Sequence, residues 1–475
     1  MPELARDRAE SPFESRHTLR LILKFAVPSV VAFLVQALYN IVDQIFIGQI
    51  VGFLGNAATN VAFPLTTLAI AGAVLIGDGT AAVMSLKMGA GNSREAGSTF
   101  GTGLIASIVL SLAYAAFAYF YLENLLLVFG ATENVMPYAI DYTLIIVLGL
   151  PASMVTCILN SSIRVDGHPN YAMTTMLIGT AVNIVLDAWF MIGFRWGVQG
   201  AAWATVIGQV VALILNAVYI PRFKEFKVER RDFRVHWKLL RQIMLLGISS
   251  FITQIAIAIV QIVMNNQIGR YGAQSIYGTD IPLAVLGIVM KANMILISVI
   301  LGLAVGSQPI WGYNYGAQNY RSVKRIYAVT AALASCVAVA GWILFQVNPD
   351  AVISWFGQED ELYNQFARRC FQIYLFGVFA AGLQITSSIF FQAIGKPGRS
   401  ILLSLSRQLL FLVPLLIVLP IYYGIDGLLY SGPIADIAAA VLAIILITFE
   451  MVHLTKMQHA EPPAGQPPAG QTSAA

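Results

Sequence analysis

Four oxygen-bearing side chains offer the clearest chemistry in this chain: Asp43, Asn183, Asp187 and Thr205. Asp43 stands five residues before the outer end of the first long apolar run. Asp187 stands six before the outer end of the fifth run, and Thr205 seven after the outer start of the sixth. At a helical rise of about 1.5 Å per residue, all three lie about 8–11 Å below one surface. Asn183 precedes Asp187 by four residues, so both project from one helix face. Two carboxylates, a carboxamide and a hydroxyl at one level make an oxygen-rich pocket in a low-dielectric wall. Such a pocket can take up a proton, because burying two like charges favours neutralising one of them. It can equally hold Na⁺ through hard oxygen ligands, or serve only to lock helices together.

These residues need elements that hold them at that depth. Of the 475 residues, 58% are hydrophobic and 11% charged, and the mean hydropathy is +0.74. That balance excludes a soluble enzyme, a disordered chain and a nucleic-acid binder, and leaves a polytopic membrane protein. Twelve apolar runs are long enough to cross a bilayer as helices, near 21–48, 60–88, 98–122, 138–160, 170–193, 198–220, 239–268, 281–311, 324–346, 368–392, 400–422 and 428–454. With the N-terminus inside, 23 of the 28 Lys and Arg fall in inside segments, which predicts two cytoplasmic termini. The fold expected is an all-α integral membrane protein. It divides into a cytoplasmic segment 1–20, a first lobe 21–220, a linker 221–238, a second lobe 239–454 and a disordered tail 455–475.

The basic linker carries Phe223, Phe226, Phe233 and Trp237. It reads either as an amphipathic stretch on the anionic inner leaflet or as a tether between halves. Cys157, Cys336 and Cys370 read as small buried hydrophobes.

The halves repeat. Gly89–Arg94 parallels Gly316–Arg321, Gly167-His168-Pro169 parallels Gly395-Lys396-Pro397, and Trp196–Gly200 parallels Tyr423–Gly427, at a near-constant offset. The matched loops fall on the same membrane side, which predicts two parallel six-helix bundles rocking about a central site. The repeat carries Asp43, Asp187 and Thr205 onto Arg270, Pro414 and Gly432, so the acidic cluster belongs to the first half alone.

Other ionisable groups fall deep within spans, where each costs roughly 2.5–3.5 kcal/mol on insertion scales. Lys291 and Asp436 match in depth, which suggests an ion pair, with a substrate or gating role as the alternative. Asp78, between Gly77 and Gly79, is a candidate for gating or substrate contact, as are Gln254 and Gln261 on the seventh span. Pro28 is a candidate kink in the first helix. The histidines (His17, His168, His236, His453, His459) all lie in inside segments with no nucleophile–base pair. No catalytic residue, resident metal or cofactor is expected, and the chain does not read as an enzyme.

Several motifs resemble the multidrug and toxic compound extrusion (MATE) family, bacterial branch, over essentially the full chain: Tyr39-Asn40-Ile41-Val42-Asp43 with Gly48, Arg164 with Gly167 and Pro169, Asn183–Asp187, Gly197–Ala202 with Ala204-Thr205, and Gln308-Pro309-Ile310 leading to Tyr313–Ala317. The resemblance implies a twelve-helix antiporter of the bacterial inner membrane. It would take H⁺ or Na⁺ inward and send organic, often cationic, amphipathic compounds outward as a monomer. The family's first-lobe cation site falls on Asp43, Asn183, Asp187 and Thr205. Where another branch carries acids on the seventh and tenth helices, this chain offers Gln254, Gln261 and Gln384, which disfavours a second-lobe cation site. A flippase for lipid-linked precursors or polysaccharide, from the same superfamily, is the alternative.

Overall fold

The computed structural model describes residues 13, 17–51, 53–278, 280–356 and 361–460. The tail Glu461–Ala475 and most of the segment before His17 lie outside the described residues.

Among the described residues, twelve helices are long and apolar enough to cross a membrane. They are α1 (Thr18–Ile50), α2 (Phe53–Gly89), α3 (Ser93–Phe120), α4 (Met136–Val165), α5 (Pro169–Gly193), α6 (Gly197–Ala217), α7 (Trp237–Gly272), α8 (Asp280–Gly316), α9 (Tyr320–Val347), α10 (Glu361–Ala393), α11 (Pro397–Tyr423) and α12 (Ile425–Ala460). Each expected span is present. Several run past their apolar stretch into polar residues, because capping groups and helix formers extend a helix beyond the hydrocarbon.

The repeat is visible in backbone geometry. Gly91 and Gln318 both have left-handed φ (77° and 61°), as do Gly167 and Gly395 (81° and 77°) and Gly197 and Gly424 (59° and 58°). After the first of these turns, Asn92 accepts from the Glu95 amide and Asn319 from the Ser322 amide, each at 3.2 Å. Both are N-caps that satisfy an orphan donor of the next helix. Pro169 and Pro397 open α5 and α11, where the missing N–H costs nothing. Two six-helix bundles therefore share one plan.

The bundles meet near the membrane face that bears the helix ends Thr18, Gly89, Trp237 and Gly316. A Cβ at Gly89 would sit 1.9 Å from the Tyr313 carbonyl oxygen, and one at Gly316 would sit 2.2 Å from that of Leu86. These are repeat-related contacts about a pseudo-twofold axis. Backbone also meets backbone at Gly247 against Leu75, Gly79 against Ile243, Gly302 against Val30 and Gly306 against Ala26. Further along, toward the opposite face, a Cβ at Gly269 on α7 or Gly287 on α8 would meet nothing within 4 Å. The lobes thus touch on the first face and part toward the other. Pro28 leaves α1 continuous from Thr18 to Ile50.

The linker is a docked tether. Asp166, fully buried, accepts from the Tyr219 hydroxyl at 2.7 Å and from the Lys224 and Glu225 amides at 2.9 Å. Asp232 accepts from Ser98, and Phe226 is buried against Phe100 and Phe223. Burial and then the nearby Asp166 charge push the Glu225 carboxyl above its usual range. Asp166→Ala leaves three donors without their acceptor and is expected to cost about 2 kcal/mol. Trypsin should then cut faster at Lys224 and Lys227; an unchanged cleavage rate would contradict this docking.

Of the cysteines, Cys370 is buried, Cys157 half-buried and Cys336 exposed. Cys336 departs from the expected burial because it lies on an outer surface of α9, where a small apolar group suits lipid as well as a core.

Candidate functional site

Helices α1, α4, α5 and α6 build the first-lobe site. Glycine sets the approach of α5 and α6: a Cβ at Gly208 would stand 2.7 Å from the Gly179 oxygen and 2.9 Å from the Asn183 Cβ. That close crossing lets Thr205 reach Asn183, whose Nδ2 donates to the Thr205 hydroxyl at 3.4 Å. Tyr39 on α1 meets the same hydroxyl at 3.2 Å. Asp43 follows Tyr39 by one helical turn, on a helix that packs against α5, which carries Asp187. The four residues expected to cluster are therefore together.

The site is enclosed. Asp187 is 1% exposed and Asn183 4%. Asp43 Oδ1, Asn183 Oδ1 and Asp187 Oδ1 are each buried without a hydrogen-bond partner. Buried oxygens of this kind are normally paired, so these three, on α1 and α5 of one lobe, form an arrangement that can take up a proton or a hard cation. Asp187 is also the last α-helical residue before a π-helical turn, Ala188–Gly193. Such turns recur at functional sites because they re-aim side chains.

Two tyrosines of the site are not among the expected site residues, although Tyr39 stands in the Tyr39–Asp43 motif. Tyr39 sits four residues before Asp43, a spacing that could have revealed it. Tyr142 on α4 lies within electrostatic range of both carboxylates, and nothing in its own run distinguishes it.

The Lys291–Asp436 pair does not form. Asp436 on α12 instead accepts from Arg407 Nε at 2.6 Å, and Asp436 is 7% exposed. Equal depth cannot tell which helices adjoin, and α11 and α12 pack directly while Lys291 lies on α8. Arg407 stands ten residues into α11, within a π-helical segment, Ser406–Leu412.

The remaining candidates spread along the lobe interface. Asp78 on α2 accepts from Ser250 on α7 at 2.8 Å, and Gln392 on α10 donates to the same hydroxyl at 3.1 Å. Gln254 and Gln261 follow Gly247 by seven and fourteen residues, so they share the face of α7 that meets α2 lower down. Gln261 is exposed and donates to Asn265. Gln384 is buried and donates to the Leu403 carbonyl, a bond that joins α10 to α11.

The MatE family model matches residues 28–189 and 249–418, and the chain belongs to that family, the multidrug and toxic compound extrusion transporters. The multidrug export protein MepA of Staphylococcus haemolyticus is 24% identical over 444 residues, covering 92% of this chain and 94% of that one. MepA of Staphylococcus aureus strain MRSA252 is 22% identical over 436 residues, with 92% and 94% covered. Among solved structures, a multidrug resistance MATE transporter in an outward-facing conformation superposes with a TM-score of 0.85 at 24% identity, covering 92% and 96%. A MOP superfamily transporter from Pyrococcus furiosus does so with a TM-score of 0.85 at 23% identity, covering 91% and 96%. The likeness to these structures concerns the fold.

Proposed function

We propose that this protein exports organic, often cationic, amphipathic compounds from a bacterial cell in exchange for inward-moving H⁺ or Na⁺. Asp43, Asn183, Asp187 and Thr205 hold the coupling ion, and two lobes rock about the site. The observation that carries this reading is the set of three partnerless oxygens shared by Asp43, Asn183 and Asp187 inside one lobe. The MepA relatives, named as multidrug export proteins, support the direction and the cargo.

The distribution of Lys and Arg supports an inner-membrane protein with both termini in the cytoplasm. On that orientation the cleft between the lobes opens outward. Ion binding then neutralises a carboxylate, a cationic cargo loses its attraction, and the cargo leaves. Ion and cargo disfavour each other by the same factor, as linkage requires. When the lobes rock, contacts such as Gly247–Leu75 and Asp78–Ser250 part, and the ion is released inside. The protein works as a monomer, because each chain carries both lobes.

Proteoliposomes given a pH gradient or a Na⁺ gradient separately test the exchange. Dye efflux should follow one gradient, which names the ion. Efflux indifferent to both would overturn antiport.

A further inference from the structure

Lys291 lies eleven residues before Gly302 on α8, and eleven residues are almost a whole number of helical turns, leaving it about 20° off the direction of Gly302. Gly302 and Gly306 press against Val30 and Ala26 of α1, so their face is the one α8 turns toward the other lobe. Lys291 therefore points between the lobes. At Gly287, one turn before it, a Cβ would meet nothing within 4 Å, so the lobes have already separated there. Lys291 is half-buried, and among the described residues it has no ion-pair or hydrogen-bond partner.

The level of Lys291 follows from the same contacts. Gly302 meets Val30 and Gly306 meets Ala26, so α1 and α8 run antiparallel in register. Carried along, that register sets Lys291 level with Ile41, between Asn40 and Asp43. Asn40 and Gln44 are exposed on α1. Asp43 stands at the same level but turns into the first lobe, about one helix diameter (~10 Å) away. On α7, Gln254, Gln261 and Asn265 share the inter-lobe face. The second-lobe wall of the cleft thus presents amides and one ammonium, while the acids sit behind the first-lobe wall.

We infer that Lys291 is a specificity-determining residue that receives an anionic group of the cargo, selecting amphipathic zwitterions that carry a carboxylate on the side facing the second lobe. This rests on the export reading above. A half-buried ammonium with no counter-ion among the described residues gains most from a carboxylate that enters with the cargo. Apolar neighbours on α8, Ile295 on the same stripe and Met294 beside it, suit the body of such a molecule.

Two dyes separate the charge from the shape. Rhodamine 110 carries a free carboxylate, and rhodamine 123 is its methyl ester. Their equilibrium binding to the full-length protein in detergent can be followed by fluorescence anisotropy with no gradient imposed. Lys291→Gln should weaken rhodamine 110 binding about tenfold and leave rhodamine 123 unchanged, and Lys291→Arg should restore rhodamine 110. Equal changes for both dyes, no change for rhodamine 110, or no rescue by arginine would each overturn the assignment. Phosphatidylglycerol that displaces rhodamine 110 from the wild-type protein in a Lys291-dependent way, while leaving rhodamine 123 bound, would assign the ammonium to a lipid headgroup and overturn it likewise. Failure of antiport itself would leave these binding differences intact and abolish only gradient-driven efflux.

Discussion

Asp43→Asn should reduce gradient-driven dye efflux to the leak of protein-free liposomes while the protein still folds. The substitution keeps the shape of the side chain and removes its charge. The amide can no longer be neutralised by a proton or contribute a full negative charge to Na⁺, so ion binding no longer changes what the cargo feels. Asp187→Asn should act in the same direction, since the two carboxylates share one buried site with Asn183 and Thr205. Asp141→Asn provides the control: Asp141 lies on α4, which also lines the site, but it is exposed. Its efflux should equal that of the wild type. An Asp43→Asn protein that retains full coupled efflux would remove the first-lobe site from the mechanism.

The second large effect concerns stability. Arg407→Met leaves the Asp436 carboxylate buried without its partner, and breaking one side of a buried ion pair typically costs about 3–5 kcal/mol. The apparent melting midpoint in detergent should fall by several degrees. The double variant Arg407→Met with Asp436→Leu should recover most of the loss, because replacing both charges by apolar groups removes the desolvation penalty along with the attraction. Lys291→Met should have no comparable effect, since Lys291 takes no part in the pair. A single Arg407 variant as stable as the double one would show that Asp436 finds another partner.

The two cases also show what depth along a span can and cannot reveal. The bilayer imposes a single dominant coordinate, the distance below its surface, and helical rise converts residue number into that coordinate. Asp43, Asp187 and Thr205 were legible on it because their helices happen to adjoin, and Asn183 followed from a spacing of four. The loops with left-handed φ were legible as a repeat because glycine marks most of those positions.

Lys291 and Asp436 matched in depth yet belong to helices that turn their charges elsewhere. Depth carries no angle around the bundle, and the packing of α11 on α12 decides that angle. Arg407 is hard to place from sequence for a related reason: a charged residue near an apolar boundary resembles an end, whereas here the helix continues past it. Tyr142 and the Asp78–Ser250–Gln392 chain lie beyond sequence reading altogether, because each depends on contacts between distant segments.

The mutual exclusion of ion and cargo at the first-lobe site is best tested by the affinity of the purified protein for a permanently cationic dye such as ethidium, measured against pH and against Na⁺ concentration. Protonation or Na⁺ occupancy of Asp43 and Asp187 should weaken the dye, so affinity should fall as pH is lowered or as Na⁺ is raised, and Asp43→Asn should flatten the response. Dye affinity that is constant across both titrations in the wild-type protein would contradict the coupling.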